Sequence, residues 1–167
     1  MNVEQAFIKT NNVTQLIECI KSRIVSAPDE FGTQPDVGLP NSYDSILAVE
    51  QKREIAISEE KNGWVSILES KEVNDYKMLL EISLVLDTEL IAIVVSNVTA
   101  SCGFVEMKNG KVIESYFSED EEDFEGFIFS KLMKKGIDTP VCMFREVASK
   151  KIPGWQVISK APQQVQK

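Results

Sequence analysis

Two Asn-Gly pairs, Asn62-Gly63 and Asn109-Gly110, each sit between two short apolar runs, and they constrain the fold more than any other feature of the chain. Both residues of such a pair tolerate positive φ, so each pair turns the chain tightly back on itself and imposes an antiparallel hairpin. The first hairpin joins residues 53–58 to 64–68, and the second joins 102–107 to 111–117. Between them the apolar rhythm changes repeatedly. Tyr76, Met78, Leu79, Leu80, Ile82, Leu84, Val85 and Leu86 form a dense helical stretch over 74–86, apolar almost all the way round. A helix of that kind is buried on more than one face, by the sheet and another helix or by a second copy of the chain, so a homodimer is an expectation. Leu90-Ile-Ala-Ile-Val-Val lacks the alternation of a half-wet strand and reads as an interior strand over 90–95.

The N-terminal third repeats this logic. Residues 4–10 read as an opening strand, and Asn11-Asn12 breaks it and caps a helix. Val13, Leu16, Ile17, Ile20 and Ile24 then recur at amphipathic spacing. The pattern around Phe7 to Glu18 echoes that around Ile67 to Glu81, with a hairpin strand before the second copy. The order strand–helix–strand–strand–helix–strand is that of two interleaved βαβ units, the ferredoxin-like arrangement. The sequence therefore predicts an α+β fold with a mostly antiparallel sheet, helices packed on it, and an added hairpin. Residues 1–158 form one domain, and 159–167 a frayed polar tail.

Other segments carry less information. Pro28, Gly32, Pro35, Gly38 and Pro40 punctuate residues 26–41, which read as a long loop, and 42–51 as a short helix. Residues 124–135 read as a helix with Phe124, Phe127, Ile128, Leu132 and Met133 inward and Gly136 at its C-terminal end. Residues 140–144 and 155–158 read as strands.

Composition then excludes function classes. The net charge of −8, from 26 acidic and 18 basic residues, leaves no basic stripe for nucleic acid or an anionic membrane surface. The chain contains no histidine, which removes Ser–His–Asp and Cys–His triads and every histidine-bearing zinc site. Cys19, Cys102 and Cys142 are odd in number and scattered, as in a reducing compartment. With no signal peptide and no long apolar span, the expected address is the cytoplasm. There is no Gly-rich phosphate loop, and neither a cofactor nor a metal is expected.

The strongest polar anomaly is Glu119-Asp-Glu-Glu-Asp-Phe-Glu125, six carboxylates in seven residues. Its spacing is not that of an EF-hand. It reads as a solvated turn whose last acids favour the following helix N-terminus, as a docking patch for a basic protein, or as a site that attracts a hard cation such as calcium or magnesium. Glu119, Asp120, Glu121, Glu122, Asp123 and Glu125, with Trp155 as an aromatic anchor, are the candidate partner-binding residues. Asp29, Glu30, Asp36 and Asp44 could supply an acid–base pair, and Cys102 a nucleophile, but nothing in the sequence makes them converge. Trp64 reads as core. The resulting expectation is a non-catalytic acidic interaction module, in the manner of immunity proteins or adaptors. A small-molecule-binding sensory domain is the alternative, and a carboxylate- or thiol-dependent enzyme stands after that.

The residues from Trp64 onward also resemble a pattern in small uncharacterised bacterial proteins. It comprises a Trp-led strand (Trp64-Val-Ser-Ile-Leu), a Leu-rich helix (Leu79-Leu80), a Val/Ile strand (Ile91 to Val95), and a Gly-turn hairpin running from Asn109-Gly110 to Tyr116-Phe-Ser118. The resemblance covers about a third of the chain and implies packing rather than an activity.

Overall fold

The computed structural model describes residues 2–26, 35–40, 53–70, 72–120 and 122–159. The elements run β1 (Asn2–Lys9), α1 (Val13–Ser26), β2 (Glu54–Ser58), β3 (Trp64–Glu69), α2 (Tyr76–Val85), β4 (Glu89–Ser96), β5 (Ser101–Lys108), β6 (Lys111–Ser118), α3 (Phe124–Lys134), α4 (Phe144–Ala148) and β7 (Trp155–Ser159). All seven strands join one antiparallel sheet in the order β6-β5-β4-β1-β3-β2-β7. Its centre, β4-β1-β3-β2, is the order that two interleaved βαβ units produce. The β5–β6 hairpin extends one side and β7 the other.

Both hairpin turns form as the Asn-Gly pairs require. Asn62 and Gly63 have φ of 55° and 82°, and Asn109 and Gly110 have 52° and 79°. Such paired positive φ values match the right-handed twist of the flanking strands. Strand alternation then sorts side chains onto two faces. On one face Ala6, Ile8, Ile55, Ile57, Val65, Ile67, Leu90, Ala92 and Val105 meet Leu16 and Ile20 of α1 and Tyr76, Met78, Leu79 and Ile82 of α2. On the other, Phe7, Ile91, Ile93, Cys102 and Phe104 meet Ile128 and Leu132 of α3, and Ala56 and Leu68 pack with Cys142 and Val147 beside α4. The sheet is thus the middle of three layers.

Trp64 is core, and its indole N–H donates to the Lys135 carbonyl at 3.1 Å, tying β3 to the end of α3. Lys131 of α3 and Lys135 at its C-cap both reach Glu106 of β5, at 3.1 and 2.8 Å. Burial alone would raise the Glu106 carboxyl, but these two ammonium groups hold it below its ordinary value.

The described part of the Pro-rich segment, residues 35–40, lies on the sheet, with Val37 and Leu39 buried in the core that α1 and α2 close. A Cβ at Gly103 would stand 2.7 Å from Leu39 Cδ2 and 2.7 Å from the Tyr116 carbonyl oxygen. The side chain can shift, but the β6 backbone cannot. Gly103→Ala is therefore expected to cost about 1–3 kcal/mol, the usual range for overpacking, read as a lower urea midpoint with an unchanged slope.

Two sequence expectations are corrected. Residues 140–144 are not a strand; they cross over the sheet and lead into α4, a helix the sequence reading did not anticipate. Met133 points outward, with 75% of its surface exposed. Helix α2 packs on the sheet and on α1, as its apolar character requires, while Leu84 and Val85 near its end are 55% and 53% exposed. The short helix expected at 42–51 lies outside the described residues, as do residues 160–167.

Candidate functional site

Three glutamates line a cleft of about 480 Å³ at the end of the sheet where β1 starts and β4 finishes. Glu4 comes from β1, Glu72 from the turn before α2, and Glu119 from the residue just after β6. Pro40 stands at the border, and Val73, Val94 and Phe117 supply apolar wall. Ser96, Thr99 and Ser101, around the β4–β5 turn, supply hydroxyls: Ser96 donates to Asn2 Oδ1 at 2.7 Å, and the Thr99 and Ser101 hydroxyls pair at 2.6 Å. No Lys or Arg lines the cleft among the described residues.

Glu4 is held by hydrogen bonds within the protein. It shares a strand face with Ala6 and Ile8, so alternation turns its carboxylate toward the layer of α1 and α2. Its Oε1 accepts from the Asn74 backbone N–H at 3.1 Å and from the Tyr76 hydroxyl at 3.4 Å. Its Oε2 accepts no hydrogen bond among the described residues. Burial pushes the Glu4 carboxyl up to about 7, against the opposing pull of those two donors. Burial, and then the neighbouring Glu4 charge, push the Tyr76 hydroxyl well above its ordinary value. At neutral pH Glu4 is poised between its two protonation states.

The turn that carries Asn74 and Glu72 is pinned from behind by a buried ion cluster. Arg53, only 4% exposed, donates from Nε to Glu69 Oε1 at 2.9 Å, closes a second contact to Glu69 Oε2, and reaches Asp75 Oδ2 at 3.0 Å. Asp75 is also the N-cap of α2, its Oδ1 accepting from Met78 N–H at 3.1 Å. One guanidinium thereby joins the start of β2, the end of β3 and the first turn of α2. Glu72 itself is held in the left-handed region at φ 61°, a conformation that costs a non-glycine residue about 1 kcal/mol.

The residues singled out in the sequence fall in separate places. Glu119 and Asp120 are exposed, and the Ser118 hydroxyl bonds Asp120 Oδ1 at 2.8 Å. Glu121 lies outside the described residues. Glu122 is exposed, and Asp123 caps α3 through Gly126 N–H at 3.1 Å, with Glu125 in its first turn. Trp155 is half-buried against the cluster beside α4 and opens β7, at the opposite sheet edge from β6. Six strand spacings, roughly 29 Å, separate those edges, so Trp155 and the acidic run do not form one compact patch.

Asp29, Glu30 and Asp44 lie outside the described residues, while Asp36 is exposed and its Oδ1 accepts from Gly38 N–H at 3.0 Å. Cys102 is fully buried in the core on the α3 side. Burial, reinforced by Glu146, pushes the Cys142 thiol up to about 12, the reverse of what a nucleophile needs. Burial also raises the Cys19 thiol, with Arg23 opposing. Among the described residues no group of three His, Cys, Asp or Glu side chains is placed to hold a metal ion, and no helix is long and apolar enough to cross a membrane.

Sequence reasoning missed Glu4 and Glu72. Glu4 did leave a signal: it is a charge in phase with the buried face of a strand. Glu72 left none. Comparison with family models, with curated proteins and with solved structures returned no match to the chain.

Proposed function

We propose that this protein is a non-catalytic recognition domain whose acidic end docks a basic protein partner. The observation that supports it is the position of Glu119, which both begins the acidic run and lines the cleft with Glu4 and Glu72. Surface carboxylates alone would make a diffuse field; joined to a concavity, they give that field a place to be read. The field speeds encounter and selects partners by sign, while the cleft supplies fit.

The test is capture from extract of the source cells at low and at moderate salt, with the intact chain and with the triple variant Glu119→Lys, Asp120→Lys, Glu122→Lys. Asp123 is left in place because it caps α3. The reading expects a captured protein with a basic surface that the triple variant loses. A partner retained by the variant at both salts contradicts it. The cleft volume also favours a second reading, a domain that senses a small metabolite. A thermal-shift screen separates the two, because a metabolite bound only by the folded state raises the melting temperature without any partner protein.

A further inference from the structure

We propose that Asn62 is a site of spontaneous deamidation, and that Asn109, in the same Lys-Asn-Gly sequence, is protected by helix α2. The inference is independent of the docking reading and concerns a covalent change that the fold directs to one hairpin.

The chemistry is open to any Asn-Gly pair. The glycine amide nitrogen, its proton taken by hydroxide, attacks Cγ of the preceding asparagine. A new N–C bond forms, the bond from Cγ to the side-chain nitrogen breaks, and that nitrogen leaves as ammonia. Water then opens the cyclic imide at either carbonyl, leaving aspartate or isoaspartate. The chain gains one water and loses one ammonia, with no oxidation or reduction. Glycine favours the attack because no Cβ shields its nitrogen. By sequence the two sites are matched, as Lys61-Asn62-Gly63 and Lys108-Asn109-Gly110. They are matched in conformation as well, since all four Asn and Gly residues have φ between 52° and 82°.

Their surroundings differ. The Gly110 N–H, whose proton must be lost for attack on Asn109, donates to the Ser83 hydroxyl at 2.9 Å. Ser83 is fully buried on α2 and is fixed by its own bond to the Leu80 carbonyl at 2.8 Å. A Cβ at Gly110 would stand 3.1 Å from Leu84 Cβ, so this turn lies against the end of the helix. The Gly63 N–H donates no hydrogen bond among the described residues, and the nearest atom to a Cβ at Gly63 would be Asn11 Oδ1 at 3.7 Å. The first turn is tied through its carbonyl instead, which accepts from the Thr10 N–H at 2.9 Å.

Ring closure requires the glycine nitrogen to swing toward the asparagine side chain, so the turn must first open locally. That swing rotates the peptide plane between Asn and Gly. The Gly63 carbonyl belongs to the next plane, so Thr10 need not let go. At the second turn the same swing breaks the bond to Ser83. One net hydrogen bond changes the population of an open form by a factor of about two to ten, so Asn62 is expected to convert faster than Asn109 by that factor. The product sets a carboxylate beside Lys61, whose ammonium meets Asp138 Oδ2 at 3.0 Å.

The test is incubation of the intact chain at mildly alkaline pH, folded in buffer and unfolded in urea, with peptide mapping by mass spectrometry at intervals. In urea the two sites are expected to convert at similar rates. In buffer Asn62 is expected to lead by about two- to tenfold. Ser83→Ala, which removes the acceptor, is expected to raise the Asn109 rate by about the same factor and to leave the Asn62 rate unchanged.

Conversion of Asn109 as fast as Asn62 in the folded chain would overturn the proposal. So would a lead for Asn62 that persists undiminished in urea, which would assign it to flanking sequence. Equal acceleration of both sites in Ser83→Ala would mean that conversion runs through global unfolding, and protection by α2 would fall. A folded chain unconverted at Asn62 while the urea sample converts fully would remove the site itself.

Discussion

Replacing Arg53 with methionine is expected to lower the free energy of unfolding by about 3–5 kcal/mol, the usual penalty for stranding buried charge. Arg53 and Glu69 are 4% and 3% exposed, and Asp75 adds a second carboxylate to the same guanidinium. Methionine matches much of the arginine stem but leaves both carboxylates without their cation. The loss appears as a lower urea midpoint with an unchanged slope, since the surface exposed on unfolding stays the same. The double variant Arg53→Met, Glu69→Leu should recover most of it, because a buried ion pair replaced by apolar residues of similar volume is often close to neutral. If the single variant costs under about 1 kcal/mol, the cluster is solvated and does not hold the turn before α2. Hydrogen exchange adds a local readout: in the single variant the amides of Asn74 and Met78 should lose protection before those of β1 and β4.

Glu4→Gln is expected to stabilise the protein at pH 8 and to leave it nearly unchanged at pH 4. The folded-state value of about 7 lies above the ordinary 4.5, so the folded chain holds this proton more tightly than the unfolded chain. That contribution is fully present below about pH 4.5 and is lost as pH rises through about 7. Above that window the ionised carboxylate destabilises the fold by about 3 kcal/mol, and glutamine, which never ionises, avoids this. Melting temperatures should therefore diverge by roughly 5–10 °C at pH 8 and converge in acid. A parallel pH dependence in the two proteins would mean that Glu4 titrates like a solvent-exposed carboxylate. Stabilisation by removing a charge would be the signature of a residue retained at a cost in stability.

Much of the fold was legible because its strongest signals are local. Asn62-Gly63 and Asn109-Gly110 demand positive φ at both positions, which few other residue pairs tolerate, and both hairpins form where expected. The echo between the two strand–helix segments foretold β4-β1-β3-β2 because each copy carries the same apolar phase. Residues 140–144 failed for a physical reason. A five-residue apolar run bounded by proline has no periodicity to distinguish a strand from a buried connector, and the Cys142 backbone N–H is satisfied by the Gln5 side chain at 3.0 Å, not by a sheet partner. Met133 follows Leu132 by one residue, which turns it about 100° away from the core-facing side of α3.

The cleft was illegible for a different reason. Its walls come from the start of β1, the turn before α2, the β4–β5 turn and the end of β6, which approach one another only when the sheet assembles. Period-two reading of Glu4-Gln-Ala-Phe-Ile8 does place Glu4 on the apolar side, and the same reading puts Glu69 in phase with Val65 and Ile67. A charged residue in phase with a core face is thus a sequence-level mark of either a buried ion pair or a site. Glu69 meets Arg53, and Glu106, in phase with Cys102 and Phe104, meets Lys131 and Lys135, whereas Glu4 meets only neutral donors among the described residues; the positions of the cations distinguish them.

The most direct test is the ionisation of Glu4 itself, followed through its side-chain carboxyl carbon resonance across the pH range. A carboxylate drawn from β1 into the layer of α1 and α2 predicts a midpoint near about 7. A midpoint near 4.5 would contradict it.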